Sequence, residues 1–313
     1  MPFNSSFYKA IKYSLHRLGQ ETVCFDYRKG DLLIRVLRFV PIVGRDLATQ
    51  LVSKKIISIS DKYDPDIVIA IKGELLDKKL LSAISKKNNM VVNWFPDPMN
   101  LWKLMLKISP PYDIFLHFDP FIVEKLKKAG RKNVVYFPFA ADIQTSKNIP
   151  KVYDVTFIGT YSKDREKVLS NLTKFDLNVW GDPKWQKSQL SSFVRGGRIS
   201  QDEMKSIIKK SKININIHHA SPGNGANLRT FEVTGCGGFL LSDNRKDLKN
   251  LFSIGEDIEI YKTVIELKSK VRLYLNDNKA RNTIAKNGYK KAASLHRYER
   301  RIDQMLNLIN EFS

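Results

Sequence analysis

The amino-acid sequence predicts an α/β protein with two Rossmann-like, doubly wound parallel sheets, and three observations predict it. Short apolar runs, Ile67–Ile71, Met90 to Phe95, Ile114 to His117 and Val134 to Phe137, alternate with helical patterns. A strand that is apolar on both faces needs cover on both, which parallel strand-helix units supply. The series then restarts: Asp154-Val-Thr-Phe-Ile-Gly-Thr160 reads as a strand and a glycine turn, followed by a helix over 162–172 and strands at Leu177 to Trp180 and Ile213 to Ile217. Finally, 313 residues are enough for two cores, since a domain usually takes about 100–200 residues. In such sheets ligands collect at the carboxyl ends of the strands.

Composition narrows the class. Hydrophobic residues make up 42% and aromatic residues 11%, with no repeat or low-complexity tract, which excludes a disordered chain. The two cysteines, Cys24 and Cys236, lack a Cys-x-x-Cys or histidine partner at metal spacing and read as buried free thiols of a reducing compartment. No signal peptide opens the chain and no uncharged run reaches the ~18–20 residues of a membrane span, so a cytoplasmic protein is expected. The net charge of +21 divides into +10 before residue 150 and +11 after it, a spread rather than a stripe. A lysine-rich coding bias produces such a spread, as does attraction to anionic lipid or anionic small molecules. Nucleic acid is the weakest partner class, because no helix-turn-helix, zinc finger or aromatic RNA-binding pattern is present.

In chain order, a helix over 7–18 stops at Gly19, and Thr22 to Asp26 reads as a strand. The apolar run 32–44, interrupted by Arg35 and Arg38 and followed by Arg45, is either a helix on the sheet with arginines reaching to water or a surface for anionic membrane. Lys72-Gly73-Glu74 is expected to open a helix. Asp97 lies in Trp94-Phe-Pro-Asp-Pro98 at a strand end, with prolines fixing the loop around its carboxylate. It is a candidate catalytic group or an ordinary turn former. His117, at the end of a strand, reads as a satisfied histidine rather than a base. Residues 140–153 read as the linker. Gly196-Gly-Arg198-Ile199 precedes a helix over 202–210, and His218 and His219 follow the strand at 213–217, pointing to opposite faces and so unsuited to share a metal. The helical tail 298–312 places Ile302, Met305, Leu306 and Ile309 on one face.

The most informative stretch is Ser221-Pro-Gly-Asn-Gly-Ala226 and the segment Asn227 to Asp243 behind it. The loop glycines, with Asn224 and Gly225 among them, let the backbone approach a ligand, and its end becomes a helix N-terminus with free N–H groups, suited to a diphosphate. Arg229 and Glu232, three apart, share a helical face and offer a cation and a carboxylate to one site, fit for a phosphate and a ribose diol. The plainer alternative is an Arg-Glu pair on an ordinary helix. The helix then breaks at Gly235, Gly237 and Gly238, and a strand follows at Phe239 to Leu241.

The pattern Asn227-x-Arg229-x-Phe231-Glu232-x-x-x-x-Gly237-Gly238 resembles the C-terminal nucleotide-sugar site of GT-B glycosyltransferases, in particular the CgeB-like (spore maturation protein) group. The resemblance implies two domains facing across a cleft: 1–148 for the acceptor, 149–297 for a nucleoside diphosphate sugar, and a helix 298–313 crossing back to the first. It implies Glu232 on the donor ribose, Gly159 and Thr160 at the donor phosphates, and the turn with Arg198 and Ile199 at the nucleobase. Asp97, Arg229 and Glu232 are the expected catalytic set. Gly159, Thr160, Arg165, Gly181, Arg198, Ile199, His218, Asn224, Gly225 and Asn227 are expected to complete the donor site. Transfer without a metal is expected, since Arg229, with Arg165 or Lys163, would neutralise the leaving diphosphate, and the nucleotide sugar is a co-substrate, with no further cofactor. The first glutamate of the wider family's pair is replaced by Asn224, so retaining and inverting chemistry both stay open. Such proteins open with a strand, here absent or reduced to Pro2-Phe3, so a late start or a lost edge strand is expected. Competing with a transferase for a cell-surface glycan, lipid-linked or protein acceptor is a non-catalytic nucleotide-sugar binder on the same frame.

Overall fold

The computed structural model describes residues 6–26, 32–37, 40, 43–76, 78–85, 89–144, 149–220 and 222–312. Pro2 and Phe3, residues 145–148 of the expected linker, Ser221, Arg38, and the side chains of Arg35 and Arg45 lie outside them. The contacts divide the chain into one unit of Met1–Pro138, Ser221–Gly223 and Ile302–Ser313 and a second of Phe139–Ala220 and Asn224–Arg301.

The first unit begins with α1 (Ser6–Arg17), closed by Gly19 at φ +74°, then α2 (Leu32–Leu37) and α3 (Val43–Tyr63). Its sheet is built from β1 (Ile67–Ile71), α4 (Lys78–Ser85), β2 (Met90–Phe95), α5 (Trp102–Ile108), β3 (Ile114–His117), α6 (Pro120–Lys128) and β4 (Val134–Tyr136). All strand pairs are parallel and the order is β1-β2-β3-β4. Phe95, Phe115 and Met105 are fully buried in its core, as continuous apolar strands require. Two expectations fail here. Thr22 to Asp26 forms no strand, because none of the described strands offers it a ladder. No helix opens at Glu74, because Lys72 and Gly73 both take positive φ, +69° and +67°, from which a right-handed helix cannot start, and α4 begins only at Lys78.

The second unit contains β5 (Tyr153–Gly159), α7 (Lys163–Leu169), β6 (Leu177–Gly181), β7 (Val194–Gly196), α8 (Gln201–Lys210), β8 (Ser211–Asn216), α9 (Leu228–Gly235), β9 (Leu240–Asp243), α10 (Leu248–Leu251), β10 (Glu259–Tyr261), α11 (Val264–Asn276) and α12 (Asn278–Leu295). The last helix, α13 (Tyr298–Phe312), buries Ile302, Met305 and Ile309. The sheet order β10-β9-β8-β5-β6-β7 is parallel throughout. Connections run one way from β5 to β7 and the other way from β8 to β10, so the reversal lies between β5 and β8. That junction is where an open parallel sheet leaves a crevice outside its strand ends.

Serines and a threonine start the helices around it. Ser162, Ser200 and Thr263 accept from the N–H groups of Arg165, Glu203 and Glu266 at 3.2, 3.2 and 3.1 Å. Such caps stabilise a helix by about 1 kcal/mol each. The glycine break after α9 is a Schellman ending: Gly237 at φ +71° donates to Thr234 O at 2.9 Å, and Gly238 donates to Val233 O at 3.0 Å. A Cβ on Gly238 would stand 2.8 Å from Ile208 Cγ2 and 2.9 Å from Asn214 Nδ2, so only glycine lets β9 leave α9 this close to α8 and β8.

Candidate functional site

The reversal point of the second sheet brings together much of the sequence-predicted set. Gly159 ends β5 and pairs in register with Gly181, which ends β6. Gly181 has φ +146°, and a Cβ there would fall 2.0 Å from Gly159 O, so the glycine permits the tight strand end. Trp185 Nε1–H donates to the same carbonyl at 2.9 Å, a brace that sequence reasoning missed. The Arg165 side chain is buried and runs from α7 to the end of β8. Its Nε and Nη2 donate to Ile217 O at 3.1 and 2.7 Å, and its Nη1 donates to Thr160 O and Oγ1 at 2.9 and 2.8 Å. Burial pushes this guanidinium down to about 10, opposed by Asp243 and reinforced by the like charge of Arg229. The group is therefore cationic at neutral pH and stitches the Thr160 loop to β8. Lys163, by contrast, is exposed at the start of α7.

Across the junction, α9 carries the central motif. Asn227 is its N-cap and accepts from Thr230 N at 3.2 Å. Beyond the cap, the N–H groups of the first helical turn have no partner within the helix and carry its partial positive charge. Arg229 Nη1 lies 2.7 Å from Glu232 Oε2, with both side chains mostly buried, and Arg229 also touches Met204 Sδ of α8. The shared face read from the spacing is thus occupied by a cation-carboxylate pair. Ahead of the helix, Asn224 O accepts from Asp247 N at 3.1 Å, while Gly225 is buried. Arg198 is exposed and Ile199 half-buried in the turn between β7 and α8.

Both ring nitrogens of His218 are engaged within the protein. Nδ1 lies 2.5 Å from Asp243 Oδ1, and Nε2 accepts from Asn227 N–H at 3.2 Å. Burial alone would raise the Asp243 carboxyl, but the neighbouring His218 with its hydrogen bonds, and then Arg245, outweigh it and hold the group below the usual carboxylate range. Arg245 Nε stands 3.4 Å from Asp243 Oδ2, and its Nη2 donates to His219 O at 3.0 Å. Asp243, Arg245 and the buried Asn216 are residues the sequence reading did not single out. Their one signal is position, since each lies at or just past the carboxyl end of β8 or β9, the two strands flanking the central motif. Among the described residues no group of three or more His, Cys, Asp or Glu is placed to hold a metal ion. The Cys236 thiol is buried and pushed up to about 12, chiefly by burial, which leaves it a thiol at neutral pH.

In the first unit the strand ends gather a second polar group. Asp97 Oδ2 pairs with Lys72 Nζ at 2.7 Å, joining the loops after β1 and β2. The unusual backbone of Lys72 is held by Asn93 Nδ2, which donates to Lys72 O at 3.3 Å. His117 is fully buried; its Nδ1 accepts from Asp119 N–H at 3.0 Å, so Nε2 carries the proton and donates to Asp97 O at 3.0 Å. Burial pushes this imidazole down to about 4, against weaker opposing effects of Asp97 and Asp119. It is a neutral brace for the Asp97 loop, as its place in the sequence suggested.

Solved structures share this fold at low sequence identity. The Anabaena protein HepE in complex with UDP superposes with a TM-score of 0.60 at 13% identity, covering 83% of this chain and 82% of that one. Sucrose-phosphate synthase from Thermosynechococcus elongatus gives 0.64 at 13% identity over 87% and 80%. The lipopolysaccharide outer core galactosyltransferase WaaB, in its apo form, gives 0.57 at 15% over 83% and 80%. No curated protein matches the chain in sequence. Two parallel α/β sheets of four and six strands, shared with these structures, make the fold GT-B. Residues 165–307, from Arg165 through Glu232 and into α13, match the family model described as Glycosyl transferase-like.

Proposed function

We propose that the protein is a glycosyltransferase that moves a sugar from a nucleoside diphosphate sugar to a hydroxyl of a cell-surface glycan, a glycolipid or a protein. The observation that carries this reading is the convergence, at the reversal point of the second sheet, of buried Arg165, the Arg229-Glu232 pair and the capped N-terminus of α9, all inside the segment that matches the transferase family model. Cations and backbone N–H groups suit a diphosphate whose charge grows as the bond to the sugar breaks, and a carboxylate suits the ribose diol. The second unit binds the donor and the first the acceptor, with Asp97 as its acidic group. CgeB-like membership, a cytoplasmic location and a hexose as the transferred sugar belong to the same proposal.

Heating the protein with UDP, GDP, TDP or CMP tests the donor reading. One nucleotide at 100 times its dissociation constant should stabilise the fold by about 2.7 kcal/mol, and this should persist with EDTA because side chains supply the positive charge. No shift with any of the four would end the proposal. The rival reading, a binder without turnover, is motivated by Asn224; nucleotide binding with no release of diphosphate from any nucleotide sugar, with or without acceptors, would favour it.

The +21 charge further supports an acceptor held at an anionic membrane. Among the described residues no helix is long and apolar enough to cross a membrane. Leu33, Val36 and Val40 are nevertheless 54%, 55% and 44% exposed, in a segment whose sequence also holds Arg35, Arg38 and Arg45. Binding to anionic vesicles should be measurable at low salt, fall steeply toward physiological salt, and drop markedly when Arg35, Arg38 and Arg45 are replaced together. Unchanged vesicle binding by that triple variant would return the segment to an ordinary packing role.

A further inference from the structure

Resting on the nucleotide-sugar reading, the geometry points to His218 as a positioning residue that holds the first turn of α9 ready for the donor. His218 follows β8, and its backbone N–H donates to Asp243 Oδ1 at the end of neighbouring β9 at 3.0 Å. The ring meets that oxygen again through Nδ1. On its other side Nε2 faces the backbone N–H of Asn227, which can only donate, so Nε2 carries the lone pair and the proton sits on Nδ1. A carboxylate, an imidazole of one fixed tautomer and the N–H of the helix-capping residue thus form one chain.

The side chain of Asn227 is held separately. Its Nδ2 donates to Asn216 Oδ1 at 2.9 Å, and Asn216 Nδ2 returns a bond to Asn227 Oδ1 at 3.0 Å. Asn216 Nδ2 also reaches Thr230 Oγ1 and Ser242 Oγ at 3.3 and 3.2 Å. The residue that starts α9 is therefore pinned through backbone and side chain to the ends of β8 and β9, the two strands flanking the central motif. Arg229 and Glu232, two and five residues further on, inherit that placement. A rigid ring with nitrogens on opposite edges is what spans Asp243 and Asn227, and no donor atom needs to touch His218 for it to matter.

Two substitutions separate this from a general packing role. Asn places its amide where Nδ1 was and can still meet Asp243, whereas Gln reaches to where Nε2 was and can still accept from Asn227 N–H. His218→Asn should speed hydrogen exchange of the Asn227 amide and weaken UDP binding, measured by calorimetry, about tenfold or more, the scale of one lost buried hydrogen bond. His218→Gln should keep both readouts within about threefold of the unaltered protein. Equal weakening by both variants, or unchanged UDP affinity in His218→Asn, would overturn the assignment. Failure of the unaltered protein to bind UDP would instead count against the nucleotide reading, and it is recognisable as such because the exchange contrast between the two variants is measured without ligand.

Discussion

Asp97→Asn is expected to lower turnover about 10²-fold or more with little change in donor affinity, the scale of lost general-base catalysis. Asp97 lies in the proline-bracketed loop at the end of β2, ion-paired with Lys72 and braced from below by His117. An inverting transfer needs a base for the incoming hydroxyl, and a retaining one needs electrostatic support for a positively charged sugar centre; a carboxylate serves either and an amide neither. Because Lys72 loses its partner in this variant, Lys72→Gln is the control, removing the pair while leaving the carboxylate. A larger loss in Asp97→Asn than in Lys72→Gln would assign the effect to the carboxylate itself. Equal losses, or near-normal turnover in Asp97→Asn, would reduce Asp97 to a loop-shaping partner of Lys72.

Glu232→Gln keeps the shape of the side chain but removes a charge-assisted acceptor, and is expected to weaken donor nucleotide binding by roughly 1.5–3 kcal/mol, or about 10- to 150-fold. Folding should survive, since the glutamine amide keeps the shape of the side chain and its oxygen can still accept a hydrogen bond from Arg229. Part of the loss could come from freeing Arg229. The double variant with Arg229→Met decides this: if Glu232 touches the ribose, its substitution still costs affinity when Arg229 is already gone. An unchanged dissociation constant in calorimetry would remove Glu232 from the site.

The sequence by itself determined the α/β class and most of the strands, and it singled out the candidate site. Ile67–Ile71, Met90–Phe95 and Ile114–His117 were legible to the residue because a strand buried on both faces must be apolar along its length. The segment 227–238 was legible because capping residues and glycines act locally, within one helix and its ending. β7 was not legible, since Val194-Arg-Gly196 carries no apolar pattern and exists only through its ladder to β6. The run Thr22 to Asp26 misled for the converse reason, having a strand's composition but no place in the ladders of the described strands. The tertiary structure alone decided how the polar side chains pair. His218 faces Asp243 across 25 positions and Asn227 across nine, Arg165 reaches Ile217 across 52, and Asp97 meets Lys72 from the neighbouring strand end. Periodicity reports which face of an element is buried, whereas these partners lie on different elements, and only the strand order, with its reversal between β5 and β8, brings them within hydrogen-bonding distance.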